Sequence, residues 1–126
     1  MSKTLIKDGE IQDQYRSLIA KSRYSRWIPE YNRRETWGET VQRYVDFISP
    51  KVDLTPDEKS HLRHSVLNHD VLPSMRLMMT AGEAAERSNI AIYNCATAIV
   101  DDPRVFDEAL YILMNGTGFG FRVTQE

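Results

Sequence analysis

The stretch that most restricts the fold is 88–123, SNIAIYNCATAIVDDPRVFDEALYILMNGTGFGFRV. Its apolar run at 89–100 holds the only cysteine, Cys95. Ile90 and Ile92 alternate with Ala91 and Tyr93, a pattern read as a short strand covered on both faces. Asp101 or Asp102 can cap a following helix over 103–115, with Pro103 in its first turn. Phe106, Ala109, Leu110 and Leu113 fall at i, i+3, i+4 and i+7, and that face is expected to lie on the sheet. Gly116 fits a left-handed C-cap. Gly118 and Gly120 then open a second strand ending at Val123, where they allow close backbone approach to a neighbour or a ligand. The spacing predicts strand, helix, strand, with a crossover long enough for parallel pairing. Two parallel strands do not make a finished sheet, so the unit reads as the start of a larger α/β sheet or barrel.

The glycine run does not match the dinucleotide fingerprint GxGxxG, and it follows a helix instead of opening one. Formal net charge is −2 and charged residues make up 27% of the 126, a balance that does not call for a nucleic-acid partner. There is no apolar run of about 18 residues and no apolar N-terminal segment of the secretory kind, so neither a membrane span nor an export signal is expected. One cysteine rules out an internal disulfide. A cytoplasmic, reducing setting fits these features.

Upstream, Ile11, Tyr15, Leu18 and Ile19 recur at helical spacing, which predicts a helix over 11–20. The segment KSRYSRWIPEYNRRETW interleaves arginines with aromatics. It reads as a connector whose aromatics dock on the domain while the arginines face water, or as a surface gripping phosphate or a partner. Trp37, Val41, Tyr44, Val45 and Ile48 mark one face of a helix over 35–49. Thr55, Pro56 and Glu58 form the signature of a capping box for a helix to about Asn68, burying Leu62 and Val66. Leu72, Met75, Leu77, Met78 and Met79 read as buried filling, followed by a turn at 80–82 and a short helix at 83–87. His61, His64 and His69 lack the HExxH spacing and read as polar helix surface.

Taken by itself, Cys95 is ambiguous. A lone cysteine is commonly a small buried hydrophobe. A nucleophilic role needs a base placed in space, and disulfide chemistry needs a second thiol from another polypeptide. Ser74 and Arg76 are polar residues in an apolar setting and are candidates to face a cleft.

The run LPSMRLMMTAGEAAERSNIAIYNCATAIVDDPRVFDEALYILMNGTGFGFRV at 72–123, with a looser match in SRYSRW at 22–27, resembles the N-terminal part of ribonucleotide reductase. The likeness is to the adenosylcobalamin-dependent class II enzymes in particular. The resemblance implies an α+β fragment: N-terminal helices over 1–70, then at 71–126 the first β-α-β unit of a ten-stranded α/β barrel that another chain completes. It implies that Cys95 is one of the redox pair that reduces the ribose. Its partner cysteine and the cysteine bearing the thiyl radical would lie on later parts of the barrel. Ser74, Asn94, Gly118 and Gly120 would line the substrate side. In the implied chemistry the thiyl radical takes the 3′ hydrogen, the 2′ hydroxyl leaves as water, and the pair supplies the electrons and ends as a disulfide.

The resemblance also implies partners and cofactors. These are a larger C-terminal reductase chain, a ribonucleoside di- or triphosphate, adenosylcobalamin held mainly by the rest of the enzyme, and an external dithiol such as thioredoxin. No nucleic acid or membrane enters. A split or interrupted gene would account for the length, and the chain alone is expected to be inactive and prone to aggregate. Two other readings compete: a non-catalytic helical adaptor with Cys95 buried in its core, and a fragment of a diiron-dependent class I large subunit.

Overall fold

The structure is a computed structural model, and it describes residues 6–7 and 9–123. A hairpin of β1 (Ile6–Lys7) and β2 (Glu10–Ile11) leads into α1 (Gln14–Arg23). A second hairpin pairs β3 (Trp27–Ile28) with β4 (Arg33–Arg34) around a 3-10 turn at Pro29–Tyr31. Four helices follow: α2 (Trp37–Ile48), α3 (Pro56–Leu67), α4 (Met75–Thr80) and α5 (Glu83–Arg87). The chain ends as β5 (Cys95–Ile99), α6 (Val105–Met114) and β6 (Gly118–Arg122). Among the described residues the three strand pairs stay separate, and only β5 and β6 run parallel.

The helix starts follow from their caps. Asp13 accepts the Arg16 N–H at 2.8 Å, so α1 begins at Gln14, and Ile11 belongs to the hairpin strand before it. Capping boxes close both long helices: Thr36 with Glu39 at α2, and Thr55 with Glu58 at α3 as the sequence predicts. Each side-chain cap is worth about 1 kcal/mol. Gly38 in the first turn of α2 has a structural reason. Its N–H donates to the Gly9 carbonyl at 2.8 Å, and a Cβ there would stand 3.3 Å from the Gly9 Cα.

The core gathers on α2. Trp37, Val41, Tyr44 and Val45 are buried with Val66 of α3, Met78 of α4, Ala20 and Ile11. The Trp37 indole N–H donates to the Leu67 carbonyl at 3.1 Å, which ties the start of α2 to the end of α3. Phe47, Ala81 and Ala85 form a smaller cluster.

Several expectations need correction. In the methionine segment only Met78 is buried and Leu77 half-buried; Leu72, Met75 and Met79 are exposed. A six-residue helix turns only one stripe inward, so its apolar residues cannot all reach the core. The connector is also inverted in part: Trp27 and Tyr31 are exposed, whereas the Arg26 guanidinium turns inward to the Thr80 carbonyl at 3.1 Å.

The strand expected over 89–100 is shorter. Asn89–Ile92 is a 3-10 turn, and pairing begins only at Cys95. Among the described residues no strand pairs with 89–92, and the backbone there closes on itself through Ala91 N–H to Ser88 O and Tyr93 N–H to Ile90 O. The covered stripe of α6 is Val105, Ala109 and Ile112, at i, i+4 and i+7. Of the expected face, Phe106, Leu110 and Leu113 are exposed. The helix is apolar around most of its girth, and a two-stranded sheet covers only one stripe of it.

Candidate functional site

The parallel pair sets the geometry. Its register places Cys95 opposite Gly118, Thr97 opposite Gly120 and Ile99 opposite Arg122. Alternation then puts Cys95, Thr97, Gly118 and Gly120 on one face. Ala96, Ala98 and Phe119, all half-buried, lie on the other, and α6 packs against both strands. Cys95 is an exposed free thiol, so an adaptor with this cysteine buried in its core does not describe the chain. A Cβ on Gly118 would stand 3.6 Å from the Cys95 sulfur and 3.5 Å from the Asn94 carbonyl oxygen. The side of the sulfur that faces β6 is therefore left open by a missing side chain. Gly120 does the same beside Thr97, where a Cβ would lie 3.6 Å from Cγ2.

The end of α6 fixes where β6 begins. Gly116 has φ +81°. Its N–H donates to the Leu113 carbonyl at 2.9 Å, and the Thr117 N–H reaches back to Ile112 at 3.3 Å. These are the two bonds of a Schellman cap, as Gly116 predicts. The next amide, Gly118, donates to the Asn94 carbonyl at 3.0 Å, directly before Cys95.

Of the residues implied by the resemblance, Cys95, Asn94, Gly118 and Gly120 come together at this sheet. Asn94 contributes its backbone carbonyl, and its residue as a whole is exposed. Ser74 stands elsewhere in role: it is the N-cap of α4, and its hydroxyl accepts the Leu77 N–H at 3.4 Å.

Three features escaped the sequence reading. Thr117, inside the glycine run, is 2% exposed, and its hydroxyl lies 2.9 Å from the Ile90 carbonyl and 3.1 Å from that of Tyr93. Arg76, noted only as a polar residue in apolar company, donates to the Gly116 carbonyl.

The third feature is a buried ion pair beneath α4. Arg43 grips Glu35 with Nε to Oε1 at 2.9 Å and Nη2 to Oε2 at 3.0 Å. The same guanidinium donates to the carbonyls of Tyr24, Met78 and Ala81. Glu35 also accepts the Arg26 N–H and the Thr40 hydroxyl, each at 3.1 Å. Burial opposes its ionisation, but Arg43 and these donors outweigh that and hold its carboxyl below the usual range. One guanidinium thus joins the connector, α2 and both ends of the 78–81 turn. Residue spacing carries no signal for such a pair, because its partners meet only in three dimensions.

His61 and His64 lie on exposed helix surface. His69 is half-buried, edge-on to Trp37 with ring centroids 5.0 Å apart. Burial, and then Arg16, lower its pKa. Among the described residues no group of three or more histidine, cysteine, aspartate or glutamate side chains is arranged to hold a metal. No helix among them is long and apolar enough to cross a membrane.

The structure thus sets an exposed strand thiol opposite a glycine-bearing strand, alongside a set of capped helices. The family described as the ribonucleotide reductase alpha domain matches residues 3–76, more than half of the chain. The chain belongs to that family. An adenosylcobalamin-dependent ribonucleoside-triphosphate reductase of Lactobacillus acidophilus is 43% identical over 42 residues, covering 31% of this chain and 6% of the relative. One of the same name from Lactobacillus helveticus is 26% identical over an alignment covering 84% of this chain and 19% of the relative. The chain therefore spans less than a fifth of the length of either curated relative. No solved structure matches. The family match ends at Arg76, so the sheet bearing Cys95 lies beyond it.

Proposed function

We propose that this chain supplies Cys95 as one thiol of the redox pair of a ribonucleotide reductase of the adenosylcobalamin-dependent class. In this reading 1–70 is the helical lead-in, and 71–126 begins a catalytic barrel that a larger reductase chain completes. The observation that carries it is the exposed Cys95 sulfur facing side-chain-free Gly118, in a chain of this family. A ribose approaching the thiol from the β6 side meets backbone at Gly118, with no Cβ in the way. Ser74, Asn94, Gly118 and Gly120 line the substrate side of the assembled site, and the substrate is a ribonucleoside triphosphate, as in the names of the two relatives.

The chemistry balances with one further cysteine from the partner chain. Two thiols give up two protons and two electrons and become a disulfide. The 2′ hydroxyl leaves as water and its carbon receives hydrogen. An external dithiol such as thioredoxin returns the pair to the thiol form. A strand end holds the sulfur more tightly than a loop does.

Adenosylcobalamin supplies radical initiation in such enzymes, and in this reading the rest of the enzyme holds most of it. The groove between α1, α2 and residues 69–78 is open and about 440 Å³, too small for a corrin with its nucleotide loop. Its one imidazole, His69, is turned edge-on to Trp37.

The test is reconstitution with the larger chain and multiple-turnover conversion of ribonucleotide. Cys95→Ser is expected to abolish turnover. Undiminished multiple turnover by that variant would refute the redox role.

A further inference from the structure

The backbone around Cys95 is held by side chains that none of the roles above includes. Thr117 directly precedes Gly118. Its buried hydroxyl carries one proton and lies within donating distance of two carbonyls, Ile90 at 2.9 Å and Tyr93 at 3.1 Å. Tyr93 is two residues before the thiol. The Gly118 N–H donates to the Asn94 carbonyl at 3.0 Å. On the other side of Thr117, the Arg76 guanidinium donates to the Gly116 carbonyl. Three consecutive residues, 116, 117 and 118, are thus each bonded to a different part of the chain: α4, the 3-10 turn and the residue before Cys95. Arg76 is in turn carried on α4, whose Met78 carbonyl is held at 3.1 Å by Arg43.

We infer that Thr117 and Arg76 are positioning residues that clamp the thiol end of β5 against the start of β6. Without the Thr117 hydroxyl, the part-buried carbonyls of Ile90 and Tyr93 lose their shared donor; Ile90 keeps the Tyr93 N–H, while the Tyr93 carbonyl has to find water or move. Movement at Tyr93 shifts Asn94 and Cys95 along the strand. Displacement of a reacting group by about 1 Å can lower a rate by about a hundredfold. The clamp rests on the reading of Cys95 as a reacting thiol for its purpose, but its geometry can be tested without that reading.

The experiment compares Thr117→Val, Thr117→Ser and Arg76→Gln. Hydrogen exchange on the whole chain reads the clamp itself. Thr117→Val is expected to speed exchange of the Gly118 and Tyr93 amides at least tenfold and to leave the amides of α2 and α3 unchanged. Thr117→Ser, which keeps the hydroxyl, is expected to restore protection. Arg76→Gln is expected to loosen the same amides to a smaller degree.

In the enzyme reconstituted with its larger chain, Thr117→Val is expected to lower kcat at least tenfold at unchanged KM, with rescue by Thr117→Ser. Unchanged exchange at Gly118 and Tyr93 overturns the clamp, as does a loosening spread equally over α2 and α3. Faster local exchange with unchanged kcat overturns the positioning role. Failure of the redox reading is seen separately, in the turnover of Cys95→Ser.

Discussion

Cys95 and Gly118 face each other across a parallel pair, with the sulfur 3.6 Å from where a Gly118 Cβ would be. That distance is ordinary van der Waals contact, and Gly118 has no left-handed φ. Nothing in the fold of this chain therefore demands glycine at that position.

Gly118→Ala is accordingly expected to leave stability within about 1 kcal/mol of the parent, because alanine in a strand loses less backbone entropy than glycine. Gly118→Val is expected to slow alkylation of Cys95 severalfold by covering one side of the sulfur. Thermal melts and the rate of reaction with iodoacetamide check the pair. Unchanged alkylation in the valine variant would show that the thiol is approached from another direction.

The Arg43–Glu35 pair is the polar centre of the helical part, with side chains only 14% and 9% exposed. Arg43→Met leaves the buried Glu35 carboxylate without its paired charge and takes a donor from three backbone carbonyls. Breaking a buried pair in this way costs about 3–5 kcal/mol. Glu35→Leu combined with Arg43→Met is expected to be less damaging than the two single changes added together. Denaturant unfolding of the four species measures the coupling.

Acid weakens the fold in two stages. His69 has a folded pKa below its ordinary 6.5, from burial first and Arg16 second. The unfolded chain therefore takes up the proton first, and stability falls as pH drops below about 6.5. Glu39 is held at about 2 by its hydrogen bond from Arg33 and then by the Thr36 N–H, against an ordinary 4.5. Its contribution is full above 4.5 and is lost between 4.5 and about 2. It is small, because the Arg33 pair is solvent-screened. His69→Asn keeps a residue tolerant of φ +64° and is expected to flatten the upper stage, read as melting temperature against pH.

The uncovered stripe of α6 gives a solubility prediction. Phe106, Leu110 and Leu113 are 66%, 60% and 51% exposed, and the sheet beside them has only two strands. Leu110→Glu is expected to reduce light scattering of the chain alone with little change in melting temperature. Under the proposed assembly with a larger reductase chain, the same substitution is expected to weaken binding to that chain. Val105→Glu, at a position 6% exposed, is expected to unfold the sheet region.

Local chemistry made much of this chain legible beforehand. Thr55, Pro56 and Glu58 announced α3, Gly116 announced the end of α6, and the apolar spacing of 37–48 announced the helix that carries the core. These signals act over one turn of backbone, so residue order alone specifies them. The strand–helix–strand order and the place of Cys95 at the sheet were legible in the same way. Residue order could not say which stripe of α6 would be covered, because the helix is apolar on more sides than two strands can cover. Nor could it show that 89–92 would curl into a turn. The Glu35–Arg43 pair and the contacts of Thr117 and Arg76 join residues between 8 and 40 positions apart. Such contacts exist only once packing has brought the segments together, and through them the backbone beside Cys95 is held in place.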